Sequence, residues 1–395
     1  MYKLISKAEL SLRWDRVKKV MRGCGAEAIL ACDNSSILYL SGQIFSGVVY
    51  ISADDHDPIF FVRRPMGLVG ENVAYIRKVE QIPSLLVDRG YPLPHSIALE
   101  GDVASYNEYL RFSKIFGIGA DRISSGATTI LRRARSVKTP YEIELTRRSA
   151  AKHAELYSKV HSLYREGMSD NDLSIELEYE ARKLGSIGNM RIFGRTMEVF
   201  IGSLLVGKNA DSPSPYDFAL GGAGMDSSLP VGCNGTLIEE GTTVMVDQGG
   251  TFTSYLTDMT RVFSLGKLPE ITYRAHATAL EMQARMMEMV RPECPTADVY
   301  NMCIELAKRE GLEQNFMGHT QQAGFVGHGV GVEVNELPVI APRSKELFEE
   351  NCTFALEPKF VIEGIGAVGV ENTFLVTNNG VEKLTIFEEE IIPLR

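Results

Sequence analysis

From Lys7 to Arg22 the apolar residues Leu10, Val17, Val20 and Met21 gather near one face at helical spacing, and Gly23 or Gly25 marks the stop. The chain is therefore expected to open on an amphipathic helix. Short apolar runs follow: AILAC from 28, SILYLSG from 36, GVVYISA from 47, IFFV from 59 and SIALE from 96. They alternate with helical stretches such as Ala104–Phe116, which predicts a small α/β domain built on short strands. The pattern changes near Arg132–Thr139. Thr139-Pro140-Tyr141-Glu142 is a capping box with Pro at the first helical position, so a new helix starts there. The expected domains are 1–135, α/β, and 136–395, α+β. The new helix is expected to reach about Tyr164. Ser169 caps the next one and Gly185 stops it. Residues 207–235, rich in Gly, Ser, Pro and Asn, read as a long loop of the kind that carries substrate contacts. Helices are predicted over about Pro269–Met289 and Thr296–Glu310, and the remainder is strand-rich. No fixed-period repeat or low-complexity tract occurs.

Length supports two domains, because 395 residues exceed what one core usually serves. The hydrophobic fraction of 44% and charged fraction of 23% are those of an ordinary globular protein. A net charge of −10 argues against nucleic acid or an anionic membrane as partner. No apolar run approaches the roughly 18–20 residues that span a bilayer. The opening MYKLISKAELSLRW is broken by Lys3, Lys7, Glu9 and Arg13, so a secretory leader is not expected. Six cysteines without CxxC spacing read as reduced thiols of a cytoplasmic protein.

The chemistry lies in the last 150 or so residues, in Asp247, Asp258, His328, Glu357 and Glu371. Asp247 and Asp258 lie in VDQGGTFTSYLTDMTRVF, two strand-like runs around a polar break. A hairpin centred between Phe252 and Thr253 sets them opposite each other. Glu357 and Glu371 lie in LEPKFVIEGIGAVGVEN, and a hairpin centred on Gly364 opposes them likewise. Opposed side chains stand ~4.5–5.5 Å apart at Cβ, where like charges repel. Two such pairs make sense around a strongly positive group. A pair of divalent cations ~3.5–4 Å apart, held by carboxylates and a histidine, is a standard hydrolytic arrangement. Taken singly, each acid could end a strand or face solvent. Each is instead embedded among apolar neighbours such as Val246, Leu356 and Val370, where an unpaired carboxylate is costly. Glycines at 327, 329 and 331 would let the backbone at His328 approach the site. His319 is a weaker candidate for a proton donor. His56, His95, His153, His161 and His276 have no motif support. Gly364–Gly369 matches GxGxxG by letter, but a strand rather than a helix follows, so a hairpin turn explains it better. Cys233 lacks a partner base and reads as an inert thiol.

In these motifs the chain resembles the pita-bread metallopeptidases: methionine aminopeptidase, aminopeptidase P, prolidase and creatinase. The Asp-to-Asp spacing before TRVF, GHGVGVEVNELP, the LEP segment and GVENTFLVTNNG occur in that family's order. SSILYLSG, PIFFVR and RSVKTPYEIELTRRSAA extend the likeness to the N-terminal domain of prolidase and creatinase. The resemblance implies a curved, mostly antiparallel catalytic sheet, a homodimer, and proline-directed dipeptidase or aminopeptidase activity on small peptides. It also implies roles. Asp247 would chelate one metal, Asp258 and Glu371 would bridge two, and His328 and Glu357 would complete the second site, with Glu357 as general base. Four carboxylates and an imidazole suit Mn²⁺, with Co²⁺, Fe²⁺ or Zn²⁺ as alternatives. Val231 and Asn335 stand where the prolidase branch usually carries histidines that contact substrate, and Gly369 stands where many members carry Arg. A creatinase-like C–N hydrolase, a metal-dependent lyase and a non-enzymatic binding module are the competing readings.

Overall fold

The computed structural model describes residues 5–194 and 197–395; Lys3, in the stretch read for a leader, lies outside them. The chain divides into two compact units, one ending at Arg135 and the other spanning Ser136–Arg395. Among the described residues, no helix is long and apolar enough to cross a membrane.

The first unit contains α1 (Lys7–Cys24), α2 (Asn34–Ser41), α3 (Ile82–Asp88), α4 (Tyr106–Phe116) and α5 (Ala127–Ser136). Its strands are β1 (Ala28–Ala31), β2 (Ser46–Ser52), β3 (Ile59–Arg64), β4 (Val73–Tyr75), β5 (Ile97–Leu99) and β6 (Ile123–Ser124), ordered β4-β3-β2-β1-β5-β6. Ser6 caps α1 by accepting from the Glu9 amide, and Gly25 ends it at φ 72°. Along β1, Ile29 and Ala31 face a core with Leu10, Trp14, Val17 and Met21 of α1, while Ala28 and Leu30 face a second core with Ile82, Leu86 and Phe112. A sheet buried on both faces reads as continuous apolar runs, which is why the strands were visible as such. SILYLSG is the exception. It is helix α2, capped by Asp33 through the Ser35 amide, and the polar cap rather than the apolar run decides its conformation.

The second unit begins with α6 (Pro140–Tyr157), whose capping box is present: Thr139 accepts from the Glu142 amide and Glu142 accepts from the Thr139 amide. It stops earlier than the sequence suggested. A turn at Ser158–Lys159 separates it from α7 (Val160–Leu163), and α8 (Asp170–Lys183) follows from its Ser169 cap. The strands are β7 (Gly202–Val206), β8 (Thr243–Gly249), β9 (Asp258–Ser264), β10 (Gly327–Val330), β11 (Val334–Ile340), β12 (Thr353–Leu356), β13 (Lys359–Ile362), β14 (Gly366–Gly369), β15 (Asn372–Thr377), β16 (Gly380–Lys383) and β17 (Ile392–Pro393). Sheets β11-β10-β12-β15-β16 and β17-β9-β8-β7 flank the β13-β14 hairpin, and every pairing is antiparallel except β17 with β9. Helices α9 (Glu270–Met289) and α10 (Thr296–Arg309) cover this surface, with Ala279, Met282 and Met286 sharing a core with Phe360, Val361 and Val368. The result is an α/β unit followed by an α+β unit on a mostly antiparallel surface.

One buried group of α6 links this packing to pH. His153 is fully buried, its Nδ1 3.0 Å from the Thr257 hydroxyl and its ring edge-on to Tyr157. Burial, with a smaller contribution from the Arg261 charge, pushes its pKa down to about 3. The unfolded chain takes up a proton near the ordinary value of about 6.5 while the folded chain does not, so stability is complete above that pH and is lost as pH falls towards 3. The slope from this one group is at most about 1.4 kcal/mol per pH unit. Denaturant melts between pH 4.5 and 6.5 should show a shallower slope for His153→Gln than for wild type; equal slopes would remove His153 from this role.

Candidate metal centre

The centre is built at an interruption in two strands. β12 and β13 are separated by Glu357-Pro358, and β14 and β15 by Val370-Glu371. The register is the same on both sides of the break: Leu356 pairs with Asn372 and Lys359 with Gly369. A hairpin centred on Gly364 is therefore what the chain forms, with Glu357 and Glu371 together at the break. Across the break the Val370 amide still donates to Pro358 O (3.3 Å), and the remaining amides find partners elsewhere, as buried amides must. The Glu357 amide donates to Val326 O (3.0 Å) and the Glu371 amide to Thr260 O (3.3 Å). Gln283, from α9, donates through Nε2 to Leu356 O (2.9 Å) and Val370 O (3.1 Å). Arg261 Nη1 donates to Glu371 O at 2.8 Å.

The first hairpin differs from its expected register. Asp247 pairs with Thr260, and Asp258 with Gly249, so the two aspartates are diagonal rather than opposed. The connection is longer than a tight turn and is held by α6: Ser149 Oγ donates to Tyr255 O (2.7 Å) and accepts from the Thr253 amide (3.1 Å). These tertiary bonds place the turn. An offset of two residues keeps both aspartates on one face of the sheet, where an offset of one would have separated them.

Among the described residues, two groups of ligand-type side chains converge, Asp258 with His328 and Glu371, and Asp247 with Glu357 and Glu371. All but the partly exposed Asp247 are buried. The five residues singled out in the sequence therefore meet. Into the second group projects a residue that had not been singled out. Lys359 Nζ, fully buried, lies 2.7 Å from Asp247 Oδ2, 2.6 Å from Glu357 Oε2 and 3.4 Å from Glu371 Oε2. A lysine two residues beyond Glu357 would point to the same side of an extended strand, and that spacing was the available signal.

The charges sort accordingly. Burial alone would neutralise Lys359, but Asp247, Glu357 and Glu371 outweigh it and hold the ammonium charged. Burial would also raise Glu357, yet Lys359 and the His328 hydrogen bond bring it down to about 2. Glu371, farther from the ammonium, is pushed up by burial to about 8. Burial, with the neighbouring carboxylates, pushes Asp258 well above the usual range. Glu371 Oε2 accepts from Thr260 Oγ1 at 2.7 Å, while its buried Oε1 finds no hydrogen-bond partner among the described residues. His328 Nδ1 donates to Gly329 O at 3.1 Å, which turns Nε2 towards Glu357 Oε1 (3.4 Å) and Asp258 Oδ2 (3.8 Å). Burial would lower the His328 pKa, but Glu357 raises it. Acceptors crowded this way, with one carboxylate oxygen orphaned, fit a divalent cation on the His328 side.

The glycines around His328 are needed by neighbouring backbone. A Cβ at Gly327 would lie 2.3 Å from Ala355 O, and one at Gly329 would lie 2.1 Å from Leu337 O.

Both units of the chain resemble known proteins. Residues 144–378 match metallopeptidase family M24. The chain belongs to that family. Residues 13–137 match the creatinase/prolidase N-terminal domain. An Xaa-Pro dipeptidase from Pyrococcus furiosus is 22% identical over 386 residues, covering 96% of this chain and 99% of that protein. The solved structure of an Xaa-Pro dipeptidase from Bacillus anthracis superposes with a TM-score of 0.78 at 22% identity, covering 97% and 99% of the two chains. An X-Pro aminopeptidase from Thermotoga maritima gives 0.76 at 22% identity, covering 95% and 99%. The two-domain pita-bread architecture implied by the sequence is the one observed. M24 proteins bind divalent metals, and this M24 chain carries carboxylate and histidine groups that could hold one.

Of the residues proposed to meet substrate, Val231 and Asn335 line the cleft over the carboxylates, together with Met190, Phe218 and Phe325. Asn335 sits at φ 62°, a conformation asparagine and histidine tolerate better than most residues. Next to it in β11, Glu336 pairs with Lys138 at 3.2 Å, both side chains fully buried. His319 is elsewhere: half-exposed, with Nδ1 3.2 Å from Asp211 Oδ2, and absent from the cleft lining. Cys233 bonds Leu204 O, and burial pushes its thiol up to about 11, so it is no thiolate.

Gly329→Ala should lower stability by about 1–3 kcal/mol, the usual scale for overpacking, and weaken metal binding by displacing His328. Thermal melts with and without Mn²⁺ would check this; a variant matching wild type in both would show that the strands can separate to admit the methyl group.

Proposed function

We propose that this chain is a metal-dependent peptidase acting on Xaa-Pro dipeptides or closely related small substrates. The observation carrying this reading is the convergence of Asp247, Asp258, His328, Glu357 and Glu371 beneath one cleft of an M24 domain. Relatives named Xaa-Pro dipeptidase and matched along their whole length support the substrate class. The apolar cleft wall, with Met190, Ile192, Phe218 and Val334, suits a proline ring. Asp258, His328 and Glu371 form the primary ligand set, joined by Glu357 Oε1. Hard oxygen donors with one imidazole favour Mn²⁺. A bound divalent ion would activate water and polarise the scissile carbonyl. Glu357 would be the residue to accept a proton from the attacking water and pass it to the leaving amine. Asn335 can orient substrate by hydrogen bonding but cannot titrate, and Val231 supplies neither function. All six cysteines are unpaired, which accords with a reducing, cytoplasmic setting.

A screen of Mn²⁺-loaded protein against Xaa-Pro dipeptides and longer Xaa-Pro peptides tests the reading; no hydrolysis of either class would overturn it. On a confirmed substrate, Glu357→Gln should reduce kcat by roughly 10²–10⁴-fold with a much smaller change in KM. Unchanged turnover would remove Glu357 as the base.

The substrate-facing changes generate a separate expectation. Dipeptide hydrolysis should be slow in the native chain and faster in Val231→His with Asn335→His, read as kcat/KM on one Xaa-Pro dipeptide. No gain in a folded, metal-loaded double variant would show that these positions do not limit the rate.

A further inference from the structure

The sequence led to an expectation of two metal ions, yet the second donor group already holds a cation. Lys359 Nζ contacts one oxygen from each member of that group: Asp247 Oδ2, Glu357 Oε2 and Glu371 Oε2. The three carboxylates converge closely enough that their donor atoms enclose a single cation. Contacts of 2.6–2.7 Å to two of them are charge-assisted hydrogen bonds. A divalent ion at that point would coincide with the ammonium.

The lysine is also accommodated by its surroundings. Its cross-strand partner is Gly369, at φ 152°. A Cβ at 369 would stand 2.8 Å from Lys359 Cα and 3.1 Å from its Cγ. With glycine at 369, no side chain there competes with Lys359 for this space. Glu357 and Glu371 each keep one oxygen that the ammonium does not engage. Glu357 Oε1 faces His328 Nε2, and Glu371 Oε1 is the orphaned atom. With Asp258 Oδ2 these form one remaining donor set.

We propose that Lys359 is a built-in cation replacing the second metal, so that this centre binds one divalent ion, on the Asp258/His328/Glu371 side. The proposal rests on the metallopeptidase reading for its metal and concerns only how many ions the chain holds. Stoichiometry, rather than activity, is therefore what tests it. Wild-type protein saturated with Mn²⁺ and freed of excess metal should contain one ion per chain by elemental analysis and give the spectrum of an uncoupled Mn²⁺ by electron paramagnetic resonance. Lys359→Met and Lys359→Ala, prepared in Mn²⁺ so that the three carboxylates are not left unpaired, should contain two ions and show spin coupling. Two coupled ions in the wild type would overturn the proposal, as would none, or a folded variant of either kind that still holds one. If neither variant folds, the wild-type stoichiometry decides alone. Two ions together with Xaa-Pro hydrolysis would sink this inference and leave the peptidase reading standing; one ion without hydrolysis would do the reverse.

Discussion

Four carboxylates drawn out of water into one cleft repel one another, and the second unit is organised around that repulsion. Two unit charges 4 Å apart interact by about 1 kcal/mol in bulk water and about 4 kcal/mol at the lower effective dielectric near a protein surface. Burial makes the problem worse and adds the loss of hydration. The chain meets part of this with Lys359, two residues beyond Glu357 and bonded to three of the four acids. The unequal titration of the acids records where that help ends. Glu357, in short contact with the ammonium, stays charged, while Asp258 and Glu371 are pushed towards protonation by burial.

Geometry at the break depends on residues that touch no ligand atom. Gln283 holds the two carbonyls that the interrupted ladder leaves over, and Asn372 Nδ2 donates to Gln283 Oε1 at 2.7 Å. Arg261, fully buried, spends its guanidinium on carbonyls of Thr260, Glu371 and Glu388 and on Asn372 Oδ1. The Tyr157 hydroxyl ties Val246 O to the Gln248 amide beside Asp247. Each is a side chain doing what a neighbouring strand would otherwise do, so the carboxylates can leave the sheet without unsatisfied backbone behind them.

What the sequence revealed follows from what is local. The Gly364 hairpin has a short turn between matched apolar strands, and its register could be counted directly. The Asp247 hairpin closes through bonds to Ser149, about a hundred residues earlier, and counting within the hairpin missed by two. Caps at Thr139 and Ser169 were legible because a capping box is complete within four residues. The SILYLSG helix was not, since a short apolar run fits helix and strand alike. His328 and the four acids were found by motif. Lys359 could have been read from its place two residues beyond Glu357, but Gln283 and Arg261 act through contacts that form only once distant segments pack, and their letters in the chain carry no mark of that.

Because the same register runs through β12–β15 and β13–β14, the exposed turn at 363–365 acts as the measure of the whole centre. Loops at the surface ordinarily absorb insertions freely. Here one residue more or less would slide two strands past each other, carrying Glu357 away from Glu371 and Lys359 away from Gly369 at a single stroke. The length of this solvent-facing turn is therefore under the same constraint as the buried ligands, although nothing in it meets substrate or metal. Drift in this lineage should appear there as exchanges of residue type at constant length.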